Sequence, residues 1–174
     1  MTNIVVLDTE TTGLSEKEHK VIEIAAILYN IEHKAMLQCA STLITCYENP
    51  VENINGISPA VTQLDYSLTP ALVMIESMAD NAVALVAHNA QFDQKFVKAM
   101  NGFTTEFYHK LWICSKRDIK WHIPLPRMRL QDICEGCQIP YSNAHRAMQD
   151  VRLLTACLAK LPNLQEQIDT LTKK

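Results

Sequence analysis

No apolar run in this chain approaches the roughly 20 residues that a membrane-spanning helix needs; Ile24 to Tyr29 and Ala82 to Ala87 are among the longest. The first residues carry no positive stretch and Leu7 runs directly into Asp8. No secretory leader is therefore expected, and a cytoplasmic location follows by default. Basic charge is not in excess either: 16 Lys and Arg against 19 Asp and Glu give a net charge of −3. That balance excludes coating nucleic acid by bulk electrostatics. It does not exclude gripping a strand's end at metal ions, because site carboxylates count as negative until metals bind. Six cysteines (Cys39, Cys46, Cys114, Cys134, Cys137 and Cys157) occur without a leader, so free thiols are expected. Cys134-x-x-Cys137 lacks a second Cys or His pair at zinc-site spacing. There are no repeats, low-complexity tracts or long linkers. What remains is 174 residues, 48% apolar and 20% charged. That is one globular domain, able to bury roughly 70% of its unfolded surface.

The chain's most informative stretch is Ile4-Val5-Val6-Leu7-Asp8-Thr9-Glu10-Thr11-Thr12-Gly13-Leu14. A short apolar run bounded by a turn signal reads as a buried strand. Residues i and i+2 of a strand share a face, so Asp8 and Glu10 project together, about 7 Å apart along the chain. Two like charges aimed at one point repel unless one is protonated or a cation lies between them. A hard divalent ion with oxygen ligands resolves the conflict. The alternative is a strand that ends in a polar turn.

Taken in order, 3–8 forms the first strand, 21–29 a second and 36–46 a third, with short connections that suggest antiparallel neighbours. Glu23 interrupts the second run, either beside the acidic pair or on an exposed edge; the edge is favoured slightly. Residues 50–56 read as a loop. Ser58-Pro59 and Thr69-Pro70 are helix starts, the latter running to about Ala79. The apolar run at 82–87 is a strand covered on both faces, followed by a helix over 90–100. The stretch from Tyr108 to Arg129 reads as irregular, with Pro124 and Pro126 setting its end. Helices follow over 129–137, 144–161 and about 164–171. Three antiparallel strands, then alternating helix and strand, make an α/β sandwich with a mixed sheet.

Two further constellations accompany the acidic pair. His88-Asn89-Ala90-Gln91-Phe92-Asp93 lies at a strand–helix junction. Asp93 there either interacts with the helix dipole or, if the first and fourth strands are parallel neighbours, points at Asp8 and Glu10. Phe92 either packs in the core or meets a base, the core being favoured. Ala144-His145-Arg146-Ala147-Met148-Gln149-Asp150 opens the last long helix, and Asp150 borders its apolar stripe, a costly place for a carboxylate without a cation. From Lys110 to Arg129, six basic residues and two tryptophans accompany one acid, Asp118. The segment reads equally as a guide for a single strand or as a solvated loop anchored by Trp112 and Trp121.

In this order, Asp8-x-Glu10, Asn89-x-x-Phe92-Asp93 and His145-x-Ala147-x-x-Asp150 resemble the DEDDh 3′→5′ exonucleases, the family of the polymerase III epsilon subunit, RNase T and oligoribonuclease. Asn55-Gly56-Ile57-Ser58 is similar to that family's His/Asn-Gly-Ile-Thr turn, and Leu130 to Ile139 to the segment before its histidine. The resemblance covers about residues 3–161 of a single exonuclease domain (1–174), with a short C-terminal helix over 163–172. It implies an α/β, RNase H-like mixed five-stranded sheet flanked by helices. It further implies that Asp8, Glu10, Asp93 and Asp150 hold two divalent ions, Mg²⁺ or Mn²⁺, with Asp93 acting through water. His145 would be the general base, since imidazole titrates near pH 6.5. Thr11, Thr12, Gly13 and Leu14 would frame the terminal nucleotide, with Asn89 and Phe92 either helping or serving only turn and packing. The implied reaction releases 5′-mononucleotides from the 3′ end of single-stranded DNA or RNA, with no membrane partner. The resemblance does not choose between a homodimer and association with a polymerase; free-standing action is expected because the chain ends soon after the nuclease region. The rival reading is a catalytically idle module of the same fold that holds nucleic acid ends or protein partners. Metal-dependent thermal stabilisation separates the two.

Overall fold

The computed structural model describes residues 1–63, 67–123, 127–141 and 145–173. In chain order it builds β1 (Asn3–Thr11), β2 (Val21–Asn30), β3 (Ala35–Leu43), α1 (Glu52–Asn55), α2 (Pro59–Thr62), α3 (Thr69–Asp80), β4 (Ala84–Ala87), α4 (Ala90–Met100), α5 (Thr105–His109), β5 (Trp112–Cys114), α6 (Leu130–Gly136), α7 (Ala147–Lys160) and α8 (Leu164–Thr172). The five strands form one sheet in the order β3-β2-β1-β4-β5. β1 pairs antiparallel with β2 and parallel with β4, and β4 pairs parallel with β5. This is the expected mixed five-stranded α/β sheet. Its fifth strand lies inside the stretch expected to be irregular: Trp112–Cys114 is too short to show a period, and its pairing to Leu85–Ala87 creates it. Pro124 and Pro126 lie outside the described residues.

Strand alternation divides the apolar residues into two cores. Ile4, Val6, Ala25, Ile27 and Tyr29 face α6, α7 and α8, where Val151, Leu154, Leu158 and Ile168 meet them. Val5, Leu7, Ile24, Ala26 and Leu28 face α3, α4 and α5, against Ile75, Met78, Phe96 and Phe107. Coverage on both faces explains why every residue of β2 is buried, a run with no alternation to read. The helix expected over 144–161 begins at Ala147; Ala144 lies outside the described residues. Residues 52–55, read as loop, make a single turn that ends at Gly56, whose φ of 66° is the left-handed conformation glycine adopts without strain. Among the described residues no helix is long and apolar enough to cross a membrane.

Candidate active site

Asp8 and Glu10 follow Ile4 and Val6 on the α7 side of β1, because side chains alternate along a strand. The β1–β2 register shifts between Glu10 and Thr11, an irregularity at the strand end of the kind that re-aims side chains next to active sites. α7 lies over the same face, and its first turn carries Asp150. One carboxylate oxygen from each of Asp8, Glu10 and Asp150 lies within 4.8 Å of the others. Strand alternation and an amphipathic helix thus bring together three acids from the two ends of the chain. Among the described residues this is the group with metal-ligand geometry.

The electrostatics of this group are strained. Burial, followed by the charges of Asp93, Asp150, Glu10 and Glu23, raises the Asp8 carboxyl well above its usual range. Burial and the neighbouring acids push Glu10 up to about 8. Asp150 is raised to about 6, mainly by burial, with the charge of His145 pulling the other way. Asp150 Oδ1 is buried and has no hydrogen-bond partner. An acceptor-only oxygen in that state lacks a cation or a donor. The donor set and the orphaned oxygen fit a hard divalent ion.

Asp93 stands beside this group rather than in it. It is buried in the first turn of α4, on the opposite face of the sheet, and Oδ1 accepts from Thr9 N at 3.1 Å and Thr9 Oγ1 at 2.8 Å. Burial raises its carboxyl to about 7, against the pull of those bonds. Thr9, which the pattern passed over, therefore moors Asp93 to β1 from the side of the strand opposite Asp8 and Glu10. His145 is exposed, five positions before Asp150 and close enough to influence its charge.

The Thr11–Gly13 turn is held from several sides. Thr11 Oγ1 donates to Gly13 O at 2.6 Å, Thr12 N donates to Lys20 O at 2.9 Å, and Asn55 Nδ2 donates to Thr11 O at 3.2 Å. Any side chain at Gly13 would overlap the His19 ring. Leu14, 87% exposed, lines a depression of about 200 Å³ with Asn89, Phe92 and Lys95. Phe92 also packs on Phe96 with ring centroids 4.7 Å apart, so it serves the core and the depression together. Of the residues expected at the terminal nucleotide, Leu14, Asn89 and Phe92 line this depression, while Thr11, Thr12 and Gly13 are buried in the turn that precedes Leu14.

One expectation changes. Glu23 is not on an exposed edge: it lies directly across from Glu10, 3% exposed, bound to Arg146. Its partner lies 123 residues away, so no local pattern reveals it. In the basic segment, Trp121 packs on the core and donates to Ser115 O at 2.8 Å, while Arg117 pairs with Asp118 and Arg129 with Asp132. Anchoring accounts for those contacts.

The sequence profile of the RNase T exonuclease family matches residues 5–158. The DNA polymerase III subunit epsilon of Treponema pallidum is 28% identical over 169 residues, covering 84% of this chain and 70% of that protein. Ribonuclease T of Baumannia cicadellinicola is 27% identical over 190 residues, covering 97% and 87%. A PolC-type DNA polymerase III from Caldanaerobacter subterraneus is 30% identical over 175 residues, and the chain spans 12% of that protein's length. Among solved structures, E. coli exonuclease I in complex with a dA16 oligonucleotide has a TM-score of 0.74 at 19% identity, over 98% of this chain and 43% of the other. A family match over nearly the whole sheet-and-helix core, with an acidic cluster at the end of β1, settles the kinship: the chain belongs to the RNase T family of exonucleases.

Proposed function

We propose that the protein is a DEDDh-type exonuclease that shortens single-stranded DNA or RNA from the 3′ end, releasing 5′-mononucleotides with the aid of two divalent ions, Mg²⁺ or Mn²⁺. The observation that carries this reading is the convergence of Asp8, Glu10 and Asp150, with an unpartnered Asp150 oxygen among them. Asp8, Glu10 and Asp150 would hold one ion, and Asp8 would help to hold the second, with Asp93 acting on it through water. Bound there, divalent ions would supply positive charge for the attacking and leaving oxygens of an in-line displacement. The Thr11–Gly13 turn, Leu14, Asn89 and Phe92 hold the terminal nucleotide. His145 accepts the proton of the attacking water on an imidazole nitrogen. Water oxygen joins the phosphorus as the bond from phosphorus to the preceding 3′ oxygen breaks, leaving a 3′ hydroxyl on the shortened strand. Among proteins of similar fold, E. coli exonuclease I forms a complex with single-stranded DNA and a 3′-exonuclease recognises a histone mRNA stem-loop, so both sugars are kept for this chain. α8 belongs to the same unit, since Leu164 and Ile168 enter the α7-side core.

The test is hydrolysis of 5′-labelled single-stranded DNA and RNA of equal sequence in Mg²⁺, Mn²⁺ or EDTA. A metal-dependent ladder shortening from the 3′ end is expected, and its sugar preference identifies the substrate. No cleavage of either strand, nor of dinucleotides, would overturn the reading in favour of an idle binding module.

A further inference from the structure

Glu23 is a buried carboxylate next to a cluster of acids, yet it is not available as a ligand. Its side chain is 4% exposed, and β-pairing sets it directly across from Glu10 on the α7 side of the sheet. Glu23 Oε2 accepts from Arg146 Nε at 3.0 Å and from Ala147 N at 2.9 Å, while Oε1 accepts from Arg146 Nη2 at 2.8 Å. Both oxygens are committed. The guanidinium fork matches the carboxylate with two parallel bonds, which fixes orientation as well as charge. The backbone bond to Ala147 fills a gap: Arg146 is the N-cap of α7, and it makes no side-chain cap bond. A strand residue therefore caps a helix that begins 124 positions later.

We infer that Glu23 and Arg146 form a positioning clamp that seats the start of α7, and with it His145 and Asp150, over the end of β1. This rests on the roles given to His145 and Asp150 above. Arg146 lies directly between the exposed His145 and Ala147, so the clamp fixes the backbone on which the imidazole is carried. It also fixes the first turn from which Asp150 projects. Glu23 thereby sits near Asp8, Glu10 and Asp150 with Arg146 as its counter-charge. Neither clamp residue touches the reacting atoms; both act through the residues they place.

The experiment is steady-state hydrolysis of a 5′-labelled single strand in Mn²⁺ by the full chain carrying Arg146→Met, Arg146→Lys, Glu23→Gln, or Glu23→Gln with Arg146→Met. Displacing catalytic groups by an ångström or less costs up to about 100-fold. Arg146→Met should lower kcat about 10–100-fold and raise the Mn²⁺ concentration for half-maximal rate, because Asp150 is displaced together with His145, while KM stays within about threefold. Arg146→Lys, retaining the charge and one donor direction, should recover part of the loss. The double variant should be no slower than the worse single one, because the two residues act as one unit. The Arg146 side chain is half exposed, so its truncation tests function without emptying the core, even should Glu23→Gln fail to fold. An Arg146→Met enzyme within about twofold of wild type, or losses that multiply in the double variant, would overturn the clamp alone. An inactive wild type would overturn the exonuclease reading and the clamp with it.

Discussion

Replacing Asp150 by Asn should make the metal-free protein more stable and insensitive to divalent ions. The three facing oxygens lie within 4.8 Å of one another. At an effective dielectric of about 20, each fully ionised pair at that separation repels by about 3.5 kcal/mol. Protonation relieves part of this: Glu10, raised to about 8, is half protonated at pH 8, whereas Asp150, raised to about 6, is largely ionised. Asn keeps the shape and removes the charge, so a gain of about 1–3 kcal/mol is expected at pH 8 in EDTA. For a chain of this length each kcal/mol moves Tm by about 2–4 °C, giving a rise of about 2–12 °C. In wild type, added Mg²⁺ or Mn²⁺ should raise Tm with the logarithm of concentration. In Asp150→Asn that response should largely vanish, and hydrolysis with it. Thermal melts in EDTA and across a metal titration read all of this. A lower Tm for Asp150→Asn in EDTA, or an undiminished metal response, would refute the claim that these acids are held together against their own repulsion.

Asp8→Ala should abolish hydrolysis and the metal-dependent rise in Tm; retained turnover would move the metal site elsewhere. His145→Ala should lower kcat by about 10²–10⁴-fold and leave the metal response intact, and full activity at neutral pH would remove His145 as the base. The pH dependence of the metal-free protein has a definite sign. Glu10 rises from 4.5 to about 8 on folding, so the folded state holds the proton more tightly. That stability is complete below pH 4.5, the unfolded value, and lost as pH rises through about 8. Tm in EDTA should therefore fall between about pH 4.5 and 8, and saturating Mg²⁺ should flatten the slope; equal slopes with and without metal would contradict it. Asn55→Ala strips the donor from Thr11 O and the acceptor from Ile57 N, and should cost about 1–3 kcal/mol while raising KM, both read from melts and rate curves.

Most of the sheet was legible because its strands are long enough to show a pattern. Ile4 to Leu7 ends in a turn, Val21 to Tyr29 is nearly unbroken in apolarity, and Ala82 to Ala87 leads straight into α4. β5 was not legible, since three residues carry no period and their identity as a strand comes from β4. The late start of α7 was hidden for a related reason: Arg146 is a helix former by type, and its extended backbone at φ −133° belongs to a cap set by a distant carboxylate. The acids Asp8, Glu10 and Asp150 were readable as residues whose burial needs a cation. Thr9, Glu23 and Arg146 were not, because each acquires its role from a partner brought near only by folding.

The placement of Asp8 and Glu10 at one end of the chain and Asp150 near the other has a consequence for biosynthesis. A ribosome delivers the first two acids well before the third, which follows only after the sheet's five strands have all been made. A partial chain that has paired β1 with β2 and β4 presents two carboxylates, an open face and no complete ligand set. Under the function proposed above, hydrolytic competence arrives with the docking of α7, and a growing polypeptide stays inert until that helix closes over the sheet.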